Sequence, residues 1–163
     1  GSEINLWFEY EVFCQVNLWF CLWLLSQKNA EIFIVYPFIE NKNQMWKGFG
    51  YLNEDNLKES FAQRIRLNAD DIKLGAELFT TFQNREFETL KSLGNLETTA
   101  FPTLKEVSQA LSEIETRPKN VVQKILENGE KNFGKVFQAF NKTENIYGFG
   151  DLQVKKIYDE LIA

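Results

Sequence analysis

Glu9 and Glu11 are two carboxylates two residues apart, directly after an apolar run, and Gln15 follows one helical turn beyond Glu11. At the carboxyl end of a parallel strand, where α/β folds hold their ligands, such residues can act as a general base or a cation ligand. Tyr36, Asn41 and Asn43 follow a second apolar run and would share the same rim. The competing role is structural, since acids near the positive end of a helix are ordinary capping groups. Gln15 and Asn17 lie on an otherwise apolar stretch, so each needs a hydrogen-bond partner if buried.

Other chemistries are excluded by what is missing. The chain has no histidine, which removes Ser-His-Asp and Cys-His dyads, His-ligated zinc and a His general base. Cys14 and Cys21 are seven apart; on a helix that is about 10.5 Å along the axis, too far for a disulfide. They are expected to be small buried thiols, in keeping with a reducing, cytoplasmic location. Gly48-Phe49-Gly50 lacks the third glycine and the Lys-Ser/Thr of a phosphate loop and is expected to be a turn, as is Gly148-Phe149-Gly150. No metal and no cofactor is expected.

A different chemistry is open to the last third. Lys131, Lys135, Gln153, Lys155 and Lys156 form a candidate nucleic-acid-binding set, with Lys142 near enough to reach a phosphate. Residues 117–163 carry 8 basic and 6 acidic residues, whereas the remainder is net −7 and the whole chain net −5. Strong nonspecific binding of nucleic acid by the whole chain is therefore not expected. The last helix carries no Arg, the commonest base reader, and it includes Asp151, Asp159 and Glu160.

These residues need elements to position them. Glu3 to Phe8 and Glu31 to Phe38 have the composition of buried strands, and Glu11 to Gln27 has helix length, so the three form a βαβ unit. The helix is apolar nearly all round, and two strands cannot cover it. A preceding segment missing from the chain, or a second chain in a homo-oligomer, is expected to supply the cover for residues 11–27. The stretch is too short to span a membrane, and no signal peptide is recognisable. Gly1-Ser2 has the character of a tag remnant.

From Asn53 the period becomes helical. Asn53 caps a helix running to about Ile65, Asn68 begins another, Arg85 to Leu93 forms a short one ended by Gly94, and Pro102 opens a helix running to about Ile114. Thr116-Arg117-Pro118 marks a boundary. Three short helices follow: one from Asn120 to Gly129, one carrying Val136, Phe137 and Phe140, and one capped by Asp151 and ending near Leu161.

The motif Leu6-Trp7-Phe8-Glu9-x-Glu11-x-Phe13-x-Gln15, then Gly48-Phe49-Gly50-x-Leu52, then Arg64, resembles the second half of the bacterial domain-of-unknown-function 1835 family. Ile125-Leu126, Phe137 and Tyr147-Gly148-Phe149-Gly150-Asp151 resemble the domain often found at its C-terminus. The resemblance covers nearly the whole chain and adds Trp7 and Arg64 to the ligand-binding candidates. It also implies a further α/β segment ahead of the Trp-Phe motif. The chain departs from the family at Tyr10 and Glu11, where a His or Asp is common, and in the helix after Pro102, which has fewer basic residues. No activity carries over with the family.

The expected fold is helix-dominated α+β. A βαβ remnant of a parallel sheet (1–52) is followed by a helical region packed on it (53–116) and a helix-turn-helix-like three-helix unit (117–163). The expected function is that of a noncatalytic regulatory or interaction protein, touching nucleic acid through its C-terminal helices. The alternative is a small-ligand binder or enzyme working at Glu9, Glu11 and Gln15.

Overall fold

The computed structural model describes residues 2–163 and is a helix-dominated α+β fold. Strand β1 (Ser2–Trp7) leads into helix α1 (Val12–Leu25) and strand β2 (Ala30–Val35). β1 and β2 pair in parallel, with Ile4 opposite Ile32 and Leu6 opposite Ile34. The second strand stops at Val35, short of the expected Phe38, because Pro37 has no N–H to give a ladder. A third strand, β3 (Ile65–Arg66), pairs antiparallel on the other side of β2, giving the order β1-β2-β3. Sequence pattern does not reveal it, since two residues show no period. It also ends the preceding helix early, and α2 (Glu54–Ala62) stops three residues before the expected Ile65.

Six further helices follow among the described residues. They are α3 (Ala69–Gln83), α4 (Phe87–Leu93), α5 (Leu104–Ser112), α6 (Arg117–Glu127), α7 (Phe133–Glu144) and α8 (Asp151–Ile162). Local chemistry explains several starts. The Asn53 side chain accepts from Asn56 N, and Asn68 forms a full capping box with Asp71. Pro102 does not open α5; it lies in the turn before Thr103 and Leu104. α6 begins at Arg117, not Asn120, because Pro118 sits in its first turn, where a missing N–H costs nothing. Asp151 is the first residue of α8 and not its cap; Gly150 holds the cap position without a side-chain bond.

One continuous cluster of buried side chains joins all three parts of the chain. It runs from Val12, Leu18, Trp19 and Leu22 through Leu78, Phe101 and Leu111 to Val136, Phe140 and Val154. Helix α1 shares this core with Ile32 and Ile34 of the sheet and packs along α3 and against α5 and the 145–147 turn. Gly75 of α3 makes the closest approach possible: a Cβ there would lie 2.4 Å from Leu22 Cδ1. One face of α1 remains bare. Phe13 is 68% exposed, Leu24 51% and Trp23 45%, with Phe20 also exposed, so the fold covers only part of the apolar helix. No helix among the described residues is long and apolar enough to cross a membrane.

Candidate functional site

The β1–α1 turn brings Glu9, Glu11, Cys14 and Gln15 to one end of the sheet. Glu11 is the N-cap of α1, and its Oε2 and Oε1 accept from Phe13 N (2.6 Å) and Cys14 N (2.7 Å). Glu9 Oε1 accepts from Phe49 N at 2.7 Å, tying the strand end to a turn 40 residues away. Gln15 is fully buried: its Nε2 donates to Glu9 O (2.6 Å), and its Oε1 accepts from Tyr36 Oη at 3.5 Å. The single Tyr36 hydroxyl proton lies chiefly toward Ala100 O (3.0 Å), which leaves the 3.5 Å contact to Gln15 as the weaker share, and Tyr10, stacked on Tyr36, donates to Pro37 O (3.1 Å). Glu9, Glu11, Gln15, Tyr10 and Tyr36 thus each have a protein partner, whereas Asn41 and Asn43 lie exposed in the following turn, where the Asn41 side chain accepts from Asn43 N.

The two Gly-Phe-Gly triplets, expected to be unrelated turns, share one role here. Gly48 (φ +71°) lies against the Glu9 carboxylate, and Gly148 (φ +62°) against that of Glu11. A Cβ at Gly48 would sit 2.2 Å from Glu9 Oε1, and one at Gly148 2.4 Å from Glu11 Oε2. Both backbones are in the left-handed region that glycine adopts without strain. The paired triplets and paired glutamates were the signal in the sequence, but nothing local joins residue 9 to 48 or residue 11 to 148.

One carboxylate oxygen from each of Glu9 and Glu11 and the thiol of Cys14 lie within 4.8 Å of one another, a set that sequence spacing did not single out. Burial, the leading cause, raises the Glu11 carboxyl above its ordinary range, outweighing the backbone donors that lower it. Burial likewise pushes the Cys14 thiol up to about 12, with Glu11 adding to the effect, so it remains protonated at neutral pH. A protonated thiol is a poor nucleophile, and a metal would have to displace this proton to take it as a ligand. The backbone donors account for where both carboxylates sit. A cavity of about 160 Å³ at this rim is lined by Tyr10, Tyr36 and Phe38, and neither glutamate lines it. That volume is below the span of ordinary small-molecule sites.

Trp7 and Arg64 meet on the other side of β1. Arg64 stacks over Phe61 (4.2 Å) and Phe33 (4.7 Å), and Glu3 lies 3.6 Å away. Trp7 stacks on Phe61 and tilts against Phe49. A run of contacts therefore links Arg64 to Glu9 by way of Phe61, Trp7 and Phe49.

The C-terminal candidates sit on α7, α8 and the turn before α7, and these helices pack with α6 as a three-helix unit. Lys155 pairs with Asp159 and lies over the rings of Phe133 and Tyr158. Lys135 has Glu130 at 3.8 Å. Lys131 contributes its backbone carbonyl to Tyr158 Oη, while Gln153 and Lys156 are exposed. Two of the four lysines thus have acidic partners, and no uninterrupted basic stripe forms. Compared with known proteins, the chain matches no family model, no curated protein and no solved structure.

Proposed function

We propose that the protein is a noncatalytic interaction protein whose working surface is the outer face of α1, and that a second copy of the chain binds there. One observation carries this reading: Phe13, Phe20, Trp23 and Leu24 lie exposed together on a helix that contains no charged residue from Val12 to Leu25. Aromatic side chains in a neutral patch are what protein interfaces concentrate at their centres.

Charge argues for a second copy. The chain is net −5, so most of its surface repels another copy, whereas a neutral stripe meets itself without that cost. Two-fold pairing also demands a self-complementary surface. Antiparallel α1 helices related by a two-fold axis midway between Phe13 and Leu24 would set Phe13 against Leu24 of the partner subunit. Asn17, its amide already donating to Phe13 O at 2.9 Å, would lie near the axis with its donor satisfied.

Area sets the strength. Large apolar side chains present 150–250 Å² each, so four at about half exposure give roughly 400 Å² per copy. With the flanking Val16, Cys21 and Phe79 the interface clears the roughly 1,000 Å² total expected of a specific contact, at the weak, reversible end of the range. Membership in the domain-of-unknown-function 1835 family is part of the same proposal and rests on the motif residues alone.

Sedimentation equilibrium over a concentration series tests the reading. The wild type is expected to self-associate. Phe13→Glu and Leu24→Glu, both at exposed sites, are expected to stay monomeric with unchanged thermal unfolding. A wild type that stays monomeric throughout, or variants that associate as it does, would overturn the proposal.

A further inference from the structure

Strand β1 is an open edge of the sheet. The order β1-β2-β3 leaves one side of β1 without a strand partner among the described residues. Phe8 N donates to Val35 O at 3.2 Å, which fixes the phase of the parallel ladder. In such a ladder alternate residues turn both backbone groups toward the same neighbour. Ser2, Ile4 and Leu6 are in phase with Phe8 and face β2, so Glu3, Asn5 and Trp7 turn N–H and C=O outward. The far edge is blunted, because β3 has two residues and its Arg66 pairs with Glu31. β1 has no such protection: it is six residues long, with one charge (Glu3), no lysine and no proline. Its Ile4 and Leu6 stay half-buried, whereas Ile32 and Ile34 beside them are fully buried.

The bare stripe of α1 overhangs this edge. Leu22 abuts Gly75 of α3, and Phe13 lies nine residues from Leu22, two and a half turns, on the opposite side of the helix. Asn17 and Leu24 fall within about 40° of Phe13 around the axis. Helix α3 starts three residues after β3 and so lies on the β3 side of α1. The stripe that faces away from α3 therefore lies on the β1 side. Spacing agrees. A crossover helix sits above the two strands it joins, which puts the α1 axis roughly 2.4 Å inside β1. A two-fold axis roughly 2.4 Å outside β1, where a paired strand requires it, would set two α1 axes roughly 9.6 Å apart, within the range of packed helices. At six and fourteen residues, β1 and α1 are both about 20 Å long, so their midpoints stack and one axis serves both.

We infer that the second copy adds its β1 antiparallel to β1, so that strand pairing and α1 pairing share one two-fold axis and the two sheets join into one of six strands. This names a further part of the α1 interface and rests on that reading. With the axis at Asn5, Glu3 stands opposite the partner's Trp7 and Ile4 opposite the partner's Leu6. The single charge on the strand does not meet itself, and the outward residues exchange about six backbone hydrogen bonds. An unrelated extended peptide would fill the edge but leave Phe13 and Leu24 bare, whereas a second copy covers both.

The test is amide hydrogen exchange by NMR on the full chain, below and above the concentration of self-association, with Phe13→Glu as the monomeric reference. The Glu3, Asn5 and Trp7 amides are expected to exchange at least about tenfold more slowly in the dimer and freely in the monomer. Asn5→Pro removes an outward N–H that β2 does not use, as edge strands tolerate. It is expected to keep the circular dichroism of the wild type and to dimerise at least about tenfold more weakly. Should Asn5→Pro lose that signal, the exchange comparison decides alone. A dimer whose three amides exchange as in Phe13→Glu, or an Asn5→Pro chain that folds and dimerises as tightly as wild type, would overturn the strand pairing and leave the α1 pairing standing. Protection of the same amides in the Phe13→Glu monomer would mean that the edge is already covered within one copy, and would overturn it too. A wild type that stays monomeric throughout would overturn both.

Discussion

Glu11 does three things at once: it caps α1 with two backbone bonds, it packs against Gly148, and it carries a buried charge. Glu11→Ala removes both cap bonds and is expected to cost about 1 kcal/mol in urea unfolding. The charge adds a pH dependence of definite sign. Burial raises the folded-state pKa above the ordinary 4.5, so the folded protein holds this proton more tightly than the unfolded chain does. Stability from Glu11 is therefore full below pH 4.5 and is lost as pH rises through the raised value. The stability of Glu11→Gln relative to wild type should rise between pH 4 and pH 7; a difference that stays flat or falls would contradict the burial argument. Gly148→Ala combines a left-handed backbone with a methyl group driven into Glu11, and about 1–2 kcal/mol is expected from the backbone alone. At this scale the sequence made the glutamates and Gln15 visible, because polar residues beside an apolar strand stand out. It concealed their partners, Phe49 N and Gly148, because those contacts close only in the fold. Cys14 reads from sequence as a small buried thiol for the same reason; in the fold it is only half-buried, with two carboxylates against it.

The rim works as a unit because α1, β2 and the 98–103 segment are tied through Tyr36 and Gln15. Tyr36→Phe leaves the Ala100 carbonyl and the Gln15 amide short of a partner in the interior. That change is expected to cost about 1–3 kcal/mol by chemical denaturation. A loss below about 0.5 kcal/mol, the lower end for a typical intramolecular bond, would mean that water replaces the hydroxyl. Elements with strong local signals were legible: Asn53 and Asn68 announce α2 and α3, and the period of α3 shows its buried face. Elements made by long-range pairing were not. β3 exists because Ile65 and Arg66 find β2, and α2 ends where that pairing begins. The misplaced starts of α5, α6 and α8 have one physical source. Proline and aspartate tolerate several positions near a helix N-terminus, so they mark the region and not the residue.

The whole molecule has one core and one uncovered face. The apolar excess of α1 showed from sequence that the fold would leave it short of cover, and α3, α5 and the 145–147 turn pack on the helix while the face of Phe13, Phe20 and Leu24 stays exposed. What covers that side was not legible, since a sequence shows how much apolar surface must be hidden but not by what. Self-association through α1 is the central claim, and intermolecular contacts test it most directly. The measurement is an isotope-filtered NOE experiment on a mixture of two samples, one with labelled leucine methyls and one unlabelled. Phe13 and Leu24 are eleven residues apart on one helix, roughly 16.5 Å along its axis, too far for a contact within a copy. Cross-peaks between the Phe13 ring of the unlabelled copy and the Leu24 methyls of the labelled one are predicted. A dimer by sedimentation that shows no such cross-peaks, or a chain that is monomeric under the same conditions, would contradict the account.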